Sequence, residues 1–101
     1  MKSLAFESLL SVYPDIIKSM PVRFDSHEFI LKLAQDYQRL YVHALQEYAE
    51  SERPFQILHG LLAQQLLSFP ELVSKIGEQN SEDIFRQVNS ATIWQKVNKS
   101  A

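Results

Sequence analysis

The chain has 101 residues, 46% of them apolar and 22% charged, with a formal net charge of −2. That is the make-up of one small globular domain over residues 1–101, and it excludes a disordered polyelectrolyte. With no cysteine there is no disulfide, thiolate metal site or thiol nucleophile, and two glycines in the whole chain are too few for a phosphate-cradling loop of the P-loop or Rossmann kind.

Punctuation falls at Pro14, Pro21, Pro54, Pro70 and Gly77, and the intervals between carry helical periodicity. Leu4, Phe6, Leu9, Leu10 and Tyr13 predict a first short helix closed by Pro14, with one further turn over Asp15 to Ser19. Met20 to Phe24 reads as extended, because the residue before proline is pushed out of the α region. Asp25-Ser26-His27-Glu28 has the form of a capping box and predicts the start of a long helix, uninterrupted to Glu50. Phe29, Leu33, Leu40 and Ala44 share one face of it, with Ile30, Tyr37, Tyr41 and Tyr48 alongside. Leu31, Val42 and Leu45 widen the apolar arc beyond a single stripe, which implies packing on two sides.

Pro54 at a first helical position predicts a second helix to Ser68, striped by Phe55, Leu58, Leu62, Leu66 and Phe69. Pro54 to Pro70 is free of charged residues but broken by Gln56, His59, Gln64 and Gln65, short of the ~20 apolar residues of a spanning helix. Pro70 to Ile76 predicts a shorter helix ended by Gly77, and Asn80 or Ser81 caps another over Ile84, Phe85 and Val88. Ser90 to Val97 fits either a helix or a strand, and we assign it as helix. The expected architecture is therefore an all-α bundle of four or five helices, with a minor two-stranded ribbon of residues 22–24 against 91–97 as the variant if that last segment is a strand.

Candidate chemistry is sparse. His27 and His43 lie about 160° apart on the long helix, so the three histidines share no metal, and no cofactor is expected. His43 and Glu47 form an i,i+4 pair whose plain reading is a solvated helix face. His59 lies within the apolar stripe of its helix, where burial lowers its pKa and demands a hydrogen-bond partner; it is the candidate for small-ligand binding or catalysis. Residues Met1 to Asp83 sum to −5 and Ile84 to Ala101 to +3, so Arg86, Lys96 and Lys99 with Trp94 form the candidate nucleic-acid surface. Glu7 interrupts any apolar signal sequence, and the expected compartment is the cytoplasm, with no membrane.

The run Phe24-Asp25-Ser26-His27-Glu28-Phe29-Ile30, with Ser81-Glu82-Asp83-Ile84-Phe85 and Ala91-Thr92-Ile93-Trp94-Gln95-Lys96, resembles small bacterial proteins of the mobile gene-cassette (integron) kind over about Phe24 to Val97. The resemblance implies a small soluble bacterial protein with an adaptive or regulatory role, and it transfers no catalytic residue. The leading expectation is a non-enzymatic interaction module, a homodimer joined through Leu31, Val42 and Leu45 with Tyr37, Tyr41 and Tyr48 at the rim. A regulator that contacts nucleic acid and a ligand site at His59 are the alternatives, and an unknown protein partner is the remaining option.

Overall fold

The computed structural model describes residues 4–97. Its N-terminal half is helical: α1 (Leu4–Ser11), α2 (Tyr13–Ser19), α3 (Ser26–Asp36), α4 (Gln38–Gln46) and α5 (Pro54–Gln64), the last running into a single 3₁₀ turn, Gln65–Ser68. Pro14 opens α2 instead of closing α1, because in a first turn its missing N–H has no helical partner to lose. At α3 the capping box forms in full: the Asp25 carboxylate accepts from the Glu28 N–H at 2.9 Å, and the Glu28 carboxylate accepts from the Asp25 N–H at 2.9 Å.

The continuous helix expected from Asp25 to Glu50 is corrected to two. Tyr37 leaves helical geometry (φ −130°, ψ 52°) and separates α3 from α4 with neither proline nor glycine present. The break gives each piece its own buried face, Phe29, Ile30 and Leu33 on α3 and Tyr41 and Ala44 on α4, while Leu31 and Val42 stay exposed. Phe6, Leu9, Ile16 and Ile17 pack with these residues and with Leu58, Leu62 and Leu66. Tyr13 binds the helices together at the centre: its ring meets Phe29 edge-on at 4.8 Å and stacks on Phe69 at 5.2 Å, and its hydroxyl donates to the Leu62 carbonyl. Burial pushes that phenol well above its ordinary pKa, so it remains a donor.

The all-α expectation is overturned by an antiparallel sheet, and the fold is α+β. Strand β1 (Arg23–Asp25), β2 (Val73–Glu82) and β3 (Val88–Lys96) lie in the order β1-β3-β2. Phe24 stands opposite Trp94 across β1 and β3, while β2 pairs with β3 from Val73 opposite Lys96 to Glu82 opposite Val88. Residues 70–77 are therefore not a helix ended by Gly77, residues 84–87 belong to the hairpin connection with Val88 opening β3, and residues 90–96 are strand. A register shift between Lys75 and Gly77 bulges the edge strand at Ile76. β3 carries the β-branched and aromatic residues Val88, Thr92, Ile93 and Trp94 that suit a pleated surface. β2 is mostly polar because it is an edge with little to bury, which is why no apolar period announced it.

Candidate functional site: a cleft between α5 and the hairpin

The first turn of α3 fastens the hairpin to the helical half. Ser26 Oγ accepts from the buried Trp94 indole N–H at 3.0 Å, and Gln79 donates to Asp25 Oδ2 at 3.3 Å. His27 bridges the two strands of the hairpin through the side chains of Ser81 and Asn89. The Asn89 amide N–H donates to Asp83 Oδ2 at 3.0 Å, so Asn89 Oδ1 faces His27 and accepts from its Nε2–H at 2.9 Å. Nδ1 is then the acceptor for the Ser81 hydroxyl at 2.7 Å. Asp83 closes the chain: its Oδ1 accepts from the backbone N–H of Phe85 at 2.8 Å and of Gln87 at 3.0 Å, organising a turn that has no glycine and holds Arg86 at φ 66°. Desolvation is the largest single influence on the Asp83 pKa and acts upward, but the N–H donors of Gln87 and Phe85, the Asn89 amide and the neighbouring His27 together outweigh it and hold the carboxyl below its usual range.

Between this clasped hairpin and α5 lies an open cleft of about 420 Å³. Ser26, His27 and Ile30 of α3 form one wall; Gln56, His59, Gly60 and Ala63 of α5 form another; Asp83 and residues 89–92 complete it. A smaller hollow of about 250 Å³ shares Gly60, Ala63 and Thr92 with it and continues along α5 to Leu67, Lys75 and Trp94. At Gly60 the helix wall carries no side chain, and a Cβ built there meets nothing within 4 Å.

His59 is half-buried in this wall and fixed on three sides by aromatic rings. The Tyr41 hydroxyl lies 2.6 Å from its Nε2, Phe55 meets it edge-on at 5.9 Å, and Phe85 from the hairpin turn lies nearly parallel at 6.3 Å. Burial lowers the His59 pKa to about 4, opposed by the Asp83 charge and assisted by His27. Burial likewise raises the Tyr41 phenol to about 12. At neutral pH Tyr41 therefore keeps its proton and donates it to an uncharged imidazole.

The other predicted residues are dispersed. Leu31 and Val42 are exposed (42% and 47%), whereas Leu45, Tyr37 and Tyr48 are half-buried against the core and Tyr41 is buried beneath His59. Trp94 is 2% exposed and faces Ser26. The Lys96 ammonium donates to the carbonyls of Lys18 and Met20 at 3.1 and 2.8 Å, Arg86 sits on the hairpin turn, and Lys99 lies outside the described residues. Among the described residues, Arg86, Trp94 and Lys96 do not form one patch. His43 is exposed on α4 and Glu47 is exposed at its C-cap. Among the described residues no group of three or more His, Asp or Glu is placed to hold a metal, and no helix is long and apolar enough to cross a membrane.

Sequence reasoning placed His59 on a helix wall but missed its companions His27, Asp83, Asn89 and Gly60. Asn80, Ser81 and Glu82, which read as a helix cap, are the end of β2, and the turn begins only at Asp83, so the local pattern did not announce the hairpin. Compared with known families, curated proteins and solved structures, the chain matches none.

Proposed function

We propose that the protein is a binding module whose site is the cleft between α5 and the hairpin, taking a small hydrogen-bonding ligand. The observation that carries this reading is the convergence of His27, His59, Asp83 and Asn89 on one open hollow of about 420 Å³, within the range of small-molecule sites. Gly60 adds support. A glycine inside a helix costs about 0.5–1 kcal/mol relative to alanine, and no packed neighbour requires it here. An occupant that approaches the helix backbone at that point accounts for it.

A thermal-shift screen of small polar fragments tests the reading, because a ligand that binds only the folded state raises the transition in proportion to its occupancy. Fragments are expected to raise the midpoint of the natural protein and to leave Gly60→Leu, whose side chain projects into the empty space, unmoved. Equal shifts in both proteins place the fragments elsewhere and contradict it.

Self-association is a second reading, favoured by the exposure of Leu31 and Val42 on α3 and α4. It predicts a dimer by light scattering that Leu31→Glu with Val42→Glu converts to a folded monomer; a monomer at every concentration of the natural protein contradicts it.

A further inference from the structure

We propose that the cleft selects an organic cation, a primary ammonium or guanidinium group set against the Asp83 carboxylate. This rests on the cleft being a binding site. Asp83 is the one acidic residue among those that line it, and no lysine or arginine lines it. Among the described residues no lysine or arginine pairs with Asp83; Lys32 is engaged by Asp36 and Lys75 by Glu78.

The carboxylate is built to be immobile without being neutralised. Three uncharged donors, the N–H groups of Phe85 and Gln87 and the Asn89 amide, occupy three of its roughly four acceptor positions. They fix both oxygens and bring no countercharge, so one acceptor site and the full negative charge remain for a ligand.

The surroundings match a cation rather than an anion. His59, uncharged near neutral pH, adds no repulsion. Phe85, two residues from Asp83, packs edge-on against Phe55 at 4.8 Å and lies nearly parallel to His59, so aromatic rings adjoin the turn that carries the carboxylate, and such rings favour ammonium groups. The chain's net charge of −2 favours approach of the same sign of ligand.

The cation has two sources, a free small amine or a lysine or arginine side chain of a partner, and a matched set of probes separates them. Pentylamine, pentanamide and pentanoate share one alkyl chain and differ only in the charge of the head; a tripeptide with a central lysine, capped at both ends, supplies the side-chain form. Binding is read from the backbone amide signals of Gly60 and Asn89. Pentylamine is expected to bind about tenfold more tightly than pentanamide, the scale of a charge-assisted hydrogen bond, and Asp83→Asn removes that preference while amide binding persists. Asparagine keeps an oxygen for Phe85 and Gln87, and unchanged hairpin signals in the variant confirm its fold. Tighter binding of the tripeptide assigns the cation to a partner chain, and equal binding assigns it to a free amine. Pentanamide or pentanoate binding as tightly as pentylamine overturns the cation and leaves the cleft standing. No response to any probe overturns both.

Discussion

Two residues in the wall of the cleft carry costs that the rest of the fold must offset, and each gives a measurable consequence. Gly60 is the first: it sits in the interior of α5 with a helical backbone and open space where a Cβ would go. Gly60→Ala is expected to raise stability by about 0.5–1 kcal/mol in denaturant melts; a fall shows that the space is needed by the folded chain itself. His59 is the second. Its pKa is about 4 in the folded protein against 6.5 unfolded, so the unfolded chain takes up the proton first as pH falls. The stability that neutral His59 contributes is complete above about pH 6.5 and is lost progressively toward pH 4. With the imidazole partly open to solvent, the loss is about 1–2 kcal/mol after screening. Stability measured from pH 7 to pH 4 is expected to decline more in the natural protein than in His59→Gln, and a proton titration of His59 centred near 6.5 contradicts the burial argument.

At the scale of elements, the first turn of α3 does two tasks with four residues. Asp25 and Glu28 cap the helix, while Asp25, Ser26 and His27 reach the hairpin. Ser26→Ala leaves the buried Trp94 indole N–H without its acceptor, and is expected to cost about 1–3 kcal/mol in a denaturant melt, with a shift in tryptophan fluorescence. An unchanged melt removes the clasp from the energetics. The capping box was legible in the sequence because its signal is local, a side-chain oxygen three residues from its partner. So were α5 from Pro54 and the burial of Leu58, Leu62 and Leu66, because one face of a helix repeats within a few residues. The hairpin was not. β2 pairs only on one side and exposes polar residues along most of its length, and the turn that joins it to β3 replaces glycine with Asp83 hydrogen bonds and a left-handed Arg86. Gly77, read as a helix terminator, stands in a strand beside Ile93. The cleft inherits that blindness, since three of its polar groups reach each other only across strands that no local pattern revealed.

For the whole molecule, one core spans both halves: Leu62 of α5, fully buried, accepts through its carbonyl from Tyr13 of α2, and Trp94 of β3 belongs to the same cluster. Leu62→Ala is expected to cost about 2–5 kcal/mol, a large share of the roughly 5–15 kcal/mol that holds a domain of this size together. A cost below about 1 kcal/mol contradicts a single shared core. Because the core joins the halves, α5 and the hairpin are held at a fixed separation, and the cleft between them exists before any ligand arrives. The most direct test is a crystal structure of the protein grown with a fragment that raises its thermal transition. The predicted result is the fragment between α5 and β3, over Gly60 and within reach of Asp83, with His27 still bonded to Ser81 and Asn89. A fragment bound elsewhere, or a hairpin detached from the first turn of α3, would contradict it.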